Sequence, residues 1–171
     1  MIVRRVVTGV DAAGKSKVTH DGDSPGYFDL STTEFDVMWL SDSSPPELRS
    51  KTDPADVDRY VMKPPPGGLK WVVIRIPPES ESDAVDKSTA EHAARMAKFD
   101  DGGVFEPDGG GWHATQTLDL VTVISGEVEL ELDDGVTKLK AGDCIVQRGS
   151  RHRWVNRSNE PCVLSGIIIA A

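Results

Sequence analysis

The sequence predicts an all-β domain, and three observations support this fold class. Its 16 glycines and 11 prolines separate short runs rich in β-branched residues. Residues 127–132 alternate between glutamate and valine or leucine, as in a strand with one face in water. From residue 112 onwards turn signals recur about every 8–12 residues, which is typical of a β-sandwich or small barrel. A chain of 171 residues suits one domain.

The first part of the chain predicts strands, loops and one short helix. Gly14 marks the turn of an N-terminal hairpin. Ser88 and Glu91 form a possible capping box for a helix over residues 88–98, either a lid or a surface connector. The acidic run over residues 79–86 is interpreted as a solvated loop, as are residues 21–34 and 41–58. The predicted strands here cover residues 2–8, 16–20, 35–40 and 70–76.

The second part is predicted to be strand and turn throughout. In residues 127–132 the three glutamates are expected to face water, and Val128, Leu130 and Leu132 to face a core. Residues 118–124 and 167–169 are apolar on both faces, so they need cover on both sides, either from the N-terminal strands or from a second subunit. The predicted strands cover residues 119–125, 127–132, 136–140, 144–148, 152–156 and 162–170.

Composition limits the classes of function. Hydrophobic residues make up 38% and charged residues 27%, and the net charge is −9, which argues against a nucleic-acid partner. No apolar run reaches the length of a membrane span, and the start of the chain lacks a signal-peptide pattern. The two cysteines, Cys144 and Cys162, do not make a disulfide framework, which favours a reducing cytoplasm. Both lie in apolar strands and are interpreted as buried, inert thiols.

Four residues form the candidate chemical centre: His113, Thr115, Asp119 and His152. On a straight strand His113 and Asp119 would lie roughly 20 Å apart. They can share a site only if the chain bends near residues 116–118. Strand pairing would then bring His152 to the same place.

The first of two motifs resembles that of the cupin family. The family pattern is a glycine, two histidines with one residue between them, a carboxylate and a second glycine. Here the corresponding residues are Gly111, His113, Thr115, Asp119 and Gly126. Threonine therefore replaces the second histidine, and aspartate replaces the usual glutamate.

The second motif follows after a hairpin at residues 133–135. Glutamine stands where the family has proline, and the spacing before it is one residue short. The matching residues are Gly142, Asp143, Gln147, Gly149, His152 and Asn156. The resemblance implies a single-domain double-stranded β-helix, or jelly-roll barrel, over residues 1–171. Residues 111–171 would form its core, and residues 1–110 would add strands, loops and the short helix.

The resemblance implies a metal site of His113, Asp119 and His152, which are also the implied catalytic residues. Two histidines and one carboxylate suit Fe, Zn, Mn or Ni and leave positions open for substrate. Thr115, Gln147, Trp112 and Trp154 are candidate substrate-binding residues, and no organic cofactor is implied. Small cupins are commonly dimeric, so the resemblance also favours a homodimer.

Structural interpretations of the same residues stay open. Asp119 could be a strand residue held by backbone donors, His152 a structural histidine and His113 a solvated loop residue. Gln147 could point outwards, and tryptophans in a barrel are often core residues.

Two classes of function are open as well. One is an enzyme acting on a small oxygen-bearing molecule, either through a metal or through metal-free acid–base chemistry as an isomerase, dehydratase or cyclase. The other is a barrel that binds a small ligand without turnover. A third hypothesis is a purely structural scaffold whose barrel mouth is filled by side chains. Fold alone does not decide among the three.

Overall fold

The computed structural model describes residues 2–49, 52–107 and 110–171, and it is mostly β-structure. The first part contains β1 Arg4–Val10, β2 Ser16–Asp23, β3 Gly26–Asp29, β4 Glu34–Ser41, β5 Tyr60–Val61, β6 Leu69–Ile76, α1 Glu79–Asp83, α2 Ala90–Met96 and β7 Phe99–Asp100. The second part contains β8 Thr117–Ser125, β9 Glu127–Leu132, β10 Gly135–Lys140, β11 Cys144–Arg148, β12 His152–Val155 and β13 Cys162–Ala170.

The largest sheet has six strands in the order β11-β8-β13-β6-β4-β3, and each neighbouring pair is antiparallel. Its centre is β13, the last strand of the chain, which lies between β8 and β6. The sheet therefore joins strands from both ends of the sequence. The predicted all-β fold class is confirmed.

A smaller sheet has the order β10-β9-β12, and an isolated antiparallel bridge joins His152 of β12 to His113. Four residues later the chain begins β8 in the large sheet. The predicted bend between His113 and Asp119 is thus the crossing from one sheet to the other. The described strands form separate sheets rather than a closed hydrogen-bonded barrel, so the barrel predicted from sequence is an open one.

The core consists of two clusters. One is aromatic-rich and centres on Phe35 and Tyr60, whose rings stack at 4.2 Å. The other is aliphatic and includes Val123, Val128 and Leu164. Burying a side chain of this size stabilises the fold by roughly 1.5–3 kcal/mol.

The helical and loop predictions need correction. The described residues contain two short helices rather than one, because residues 79–83 of the predicted acidic loop form α1. The capping box is wrong: Thr89 caps α2 by accepting from the His92 N–H, whereas Ser88 bonds Asp86. Residues 26–29 form β3 within a predicted loop. Residues 50 and 51 of the other predicted loop lie outside the described residues.

The alternation in β9 holds at Val128 and Leu130 but fails at its end. Glu131 is buried because Arg153 and Arg157 cover it with two ion pairs. Leu132 is exposed instead. Cys144, predicted to be buried, is exposed near the sheet edge, whereas Cys162 is buried as expected.

The outer face of the large sheet is only partly covered. The β1–β2 hairpin contacts β4, where Arg5 donates to the Met38 carbonyl and Ser24 to the Val37 carbonyl. An exposed apolar row extends across the remaining strands in lateral register; we call it the outer row. Its members are Val146, Leu120, Ile167 and Trp71.

The helices of the described residues are too short to cross a membrane.

Candidate functional site

The two histidines of the sequence motifs are adjacent in space. The His113 N–H donates to the His152 carbonyl at 3.0 Å, and the His152 N–H donates back at 2.9 Å. Opposed residues of an antiparallel bridge project to the same side, so the two rings stand next to each other, with centroids 4.2 Å apart. Both side chains are buried. The ladder thus builds a histidine pair without a direct bond between the rings.

A local carbonyl fixes the tautomer of each ring. His113 Nδ1 lies 2.9 Å from the Gly111 carbonyl oxygen, and His152 Nδ1 lies 2.9 Å from that of Ser150. A carbonyl only accepts, so each Nδ1 carries the proton and donates. In the neutral ring Nε2 then holds a free lone pair. Both rings therefore offer Nε2 as a proton acceptor or a metal ligand.

Burial keeps the pair uncharged. Burial, followed by the neighbouring His113, lowers the pKa of His152 to about 4. Burial also lowers the pKa of His113, although the Gly111 carbonyl and Asp119 oppose that shift. At neutral pH both imidazoles are in the basic form that accepts a proton or binds a metal.

Asp119 faces the same interior from the large sheet. It lies in a lateral row with Gln147 of β11, Ile168 of β13 and Lys70 of β6, which are successive partners in the ladder. Its Oδ1 is buried and has no hydrogen-bond partner. Burial raises the pKa of Asp119, against the Thr117 hydroxyl, His113 and Lys70, which lower it.

A cavity of about 180 Å³ lies between the two sheets and contains these groups. His113, His152 and Asp119 are its main ionisable lining residues, and most of the wall is apolar. The apolar lining includes Phe35, Tyr60, Val72, Ile74, Phe105, Val121, Trp154, Leu164 and Ile168. Such a site suits a small organic molecule with a few polar groups.

The other predicted substrate-binding residues divide into two sets. Gln147 and Trp154 line the cavity, and Gln147 is buried, so its side chain faces inwards. Thr115 and Trp112 are not among the described lining residues. The Thr115 hydroxyl bonds that of Thr117 at 2.6 Å, and Trp112 lies beneath the Arg151 guanidinium at 4.1 Å. The roles predicted for all four stay predictions.

The predicted metal ligands share the cavity but do not form a ready cluster. No group of three or more His, Cys, Asp or Glu side chains is placed to hold a metal within residues 2–49, 52–107 and 110–171. The structure shows a histidine pair on one sheet and a separate carboxylate on the other.

Sequence reasoning missed two residues near this carboxylate, Tyr60 and Lys70. Lys70 is almost fully buried, donates to the carbonyls of Val61 and Met62, and lies 4.1 Å from the centre of the Tyr60 ring. Burial lowers the pKa of Lys70 to about 7, with Asp119 opposing. A lysine at the start of the apolar run over residues 69–76 was the only available signal, and it resembles an ordinary strand-end charge.

The fold and cavity define a class: an all-β protein whose two sheets flank a small-molecule cavity with paired histidines. Residues 103–169 match the family model for the cupin domain. This match makes the second part of the chain, residues 103–169, a cupin domain.

The similar proteins include biosynthesis cluster proteins and an oxidoreductase. Phomopsin biosynthesis cluster proteins C' and D of Diaporthe leptostromiformis are each 28% identical over 162 residues, covering 91% of this chain and 71% of theirs. A cupin-domain-containing oxidoreductase, srdD, of Neurospora crassa is 26% identical over 155 residues, covering 89% of this chain and 65% of its own. Among solved structures, the Schizosaccharomyces pombe Cnp3 cupin domain has a TM-score of 0.48 at 8% identity, covering 98% of this chain and 88% of that one.

Proposed function

We propose that this protein is an enzyme that acts on a small oxygen-bearing organic molecule, with the His113–His152 pair as its reactive centre. One observation carries the proposal: two neutral imidazoles stand side by side at a cavity, each with Nδ1 engaged and Nε2 free. A purely structural pair would not need two free basic nitrogens in a cavity of this size. The names of the biosynthetic and oxidoreductase relatives support small-molecule chemistry.

The donor types fit a divalent transition metal. His113 and His152 would hold the ion through Nε2. Asp119 lines the same cavity, and its buried Oδ1, which lacks a hydrogen-bond partner, would be the third ligand atom. Two imidazoles and a carboxylate suit Fe(II), Zn, Mn or Ni. When bound, such an ion supplies Lewis-acid or redox chemistry beside the substrate. The backbone carbonyls behind Nδ1 would orient both imidazole ligands.

A second candidate is metal-free acid–base catalysis, as in an isomerase, dehydratase or cyclase. It is favoured by the separation of the carboxylate from the histidine pair, since the described residues contain no three-ligand group. His152 would accept a proton at Nε2, and the Ser150 carbonyl would hold its ring in place. Proton transfer by a positioned side chain contributes typically about 10²–10⁴-fold to a rate.

Metal analysis combined with a substrate screen tests the proposal. Protein purified without added metal is analysed for Fe, Mn, Ni and Zn in the wild type, in His113→Ala and His152→Ala, and in His20→Ala as the matched control on β2. One equivalent of metal, lost only in the two cavity variants, supports the metal enzyme. Turnover of a hydroxy, keto or phenolic compound without metal, lost in the same variants, supports acid–base catalysis. Ligand binding with no turnover under any metal contradicts an enzyme and supports the binding barrel.

We also propose that the protein is a homodimer that uses the outer row and works in the cytoplasm. The outer row carries no carboxylate, so two copies of this acidic chain can meet there without strong repulsion. The free thiols Cys144 and Cys162 are consistent with a reducing compartment. In sedimentation measurements Trp71→Glu should give a monomer, and Val18→Glu on the exposed hairpin should not. A monomeric wild type would contradict the dimer.

A further inference from the structure

Two buried polar atoms at the cavity lack hydrogen-bond partners. They are the Tyr60 hydroxyl oxygen and the Asp119 Oδ1, and both residues line the wall. Buried polar groups in folded proteins are nearly always hydrogen-bonded, so each exception needs an explanation. The other buried unpaired atoms of the described residues belong to Arg5, Asp36 and His92, which do not line this cavity.

The Tyr60 ring is held too firmly for its hydroxyl to find another partner by rotation. It is 1% exposed and stacks on Phe35 at 4.2 Å. The ring of Phe28 meets it edge-on at 6.0 Å, and the Lys70 ammonium lies over the ring at 4.1 Å. Lys70 is itself tied to two backbone carbonyls of the β5 segment. The phenol therefore presents a fixed donor.

The two unpaired atoms are chemically complementary to one ligand group. A phenol hydroxyl donates a hydrogen bond, and an ionised carboxylate oxygen accepts one. A ligand hydroxyl has both the lone pair that Tyr60 needs and the proton that Asp119 needs. A ligand that carries only a carbonyl oxygen would satisfy Tyr60 alone, and a hydrocarbon would satisfy neither.

We propose that Tyr60 and Asp119 form a hydroxyl-binding subsite, so that the substrate is a compact apolar or aromatic molecule carrying a hydroxyl group. This inference rests on the proposed function in its metal-free form, since it assumes that the cavity holds the substrate and that the Asp119 Oδ1 is not bound to a metal ion. The apolar side chains of Val72, Leu164 and Ile168 contact the hydrocarbon part. The histidine pair lies on the opposing sheet, where it can act on the rest of the molecule.

Calorimetric titration with phenol and toluene tests this subsite, because the two probes differ in little more than a hydroxyl in place of a methyl. Wild-type protein is expected to bind phenol more tightly than toluene. In Tyr60→Phe the phenol-to-toluene ratio of association constants should fall at least about fivefold, the usual effect of one lost hydrogen bond. The matched control is Tyr27→Phe, which removes the hydroxyl of the chain's other tyrosine, bonded to Glu34 outside the cavity. It should leave the ratio unchanged.

Folding is checked separately. Tyr60→Phe removes a buried hydroxyl that has no partner, so its melting temperature should equal or exceed that of the wild type. Asp119→Leu removes the acceptor at similar volume and should also lower the ratio, which gives a second route if one variant folds poorly.

The outcomes separate this inference from the proposed function. An unchanged ratio in Tyr60→Phe, or a wild type that fails to prefer phenol, overturns the subsite even if the protein proves to be an enzyme. A ratio that falls as expected supports the subsite even if no turnover is found. His152→Ala should keep the preference for phenol, because Asp119 on β8 and Tyr60 on β5 belong to other sheets than His152 on β12.

Discussion

The two walls of the cavity solve the problem of buried polar groups in different ways. On the smaller sheet, the histidine pair has each Nδ1 bonded to a carbonyl two residues earlier in the chain. On the other wall, Asp119 of the large sheet and Tyr60 of β5 keep atoms without partners. On the first wall the chain itself fixes the orientation of both rings, whereas on the second wall two buried atoms stay unpaired unless a ligand enters the cavity. Local bonding thus prepares the reactive groups, and unpaired atoms prepare the binding of a ligand.

The largest expected effect is on catalysis by the His113–His152 pair. His152→Ala should reduce turnover of a substrate found by screening by about 10²–10⁴-fold, because it removes a general base or a metal ligand. The rates are measured by steady-state kinetics beside His20→Ala, which lies outside the cavity. His113→Ala should have a similar effect, and the double variant should be little worse, since paired groups act as a unit. Near-normal turnover in either single variant would remove the pair from the reaction.

The next largest effect is on stability, and it concerns Lys70, which lies over the Tyr60 ring. Lys70→Ala should lower the free energy of unfolding by about 2–4 kcal/mol, because it leaves a cavity and deprives the carbonyls of Val61 and Met62 of their donor. Lys70→Met fills most of the space, so it should cost less. Urea denaturation measures both. A cost near zero for Lys70→Ala would show that the ammonium does not hold the β5 segment and Tyr60.

The contrast between the walls also explains what the sequence could predict. Both histidines lie within short motifs, and the pairing needs only a bridge between residues 113 and 152, so spacing and strand patterns sufficed. The crossing after His113 was predictable because a straight strand could not bring Asp119 to the same site. Gln147 was ambiguous because a strand residue can face either way, and the register opposite Asp119 decides it.

Tyr60 and Lys70 could not be found in this way. Lys70 shares a lateral row with Asp119 because β13 lies between β6 and β8, and Tyr60 lines the same cavity from β5, which belongs to another sheet. Such long-range order leaves no local pattern. The prediction for Glu131 was wrong for a related reason. Alternation predicts that its side chain faces water, but Arg153 and Arg157 cover it. The metal site is less determined still, because the motif supplies ligand types without fixing their distances.

The pH dependence of stability tests whether the histidine pair is neutral. Folding makes His152 harder to protonate, with a pKa of about 4 against an ordinary 6.5, so the unfolded state binds more protons between these values. Stability from this group is complete above about pH 6.5 and is lost as the pH falls towards 4. At about 1.4 kcal/mol per pKa unit, the loss is about 3 kcal/mol.

Comparison with His152→Gln isolates this contribution. Burial raises the pKa of Asp36 to about 6, which acts in the opposite direction, but both proteins share that group. Urea denaturation at pH 7 and pH 4 should show the wild type losing more stability than the variant. Equal losses would mean that His152 is as easily protonated in the folded chain as in the unfolded one.

The smallest effect concerns Thr115, which stands where the cupin motif has its second histidine. Its hydroxyl lies 2.6 Å from that of Thr117, and both residues are buried. Thr115→Val keeps the shape and leaves the Thr117 hydroxyl short of one partner, so stability should fall by about 1 kcal/mol. Phenol affinity should stay unchanged, because Thr115 is not among the described lining residues. If Thr115→Val instead weakens phenol binding with no loss of stability, Thr115 belongs to the binding site, and its assignment to a structural role is wrong.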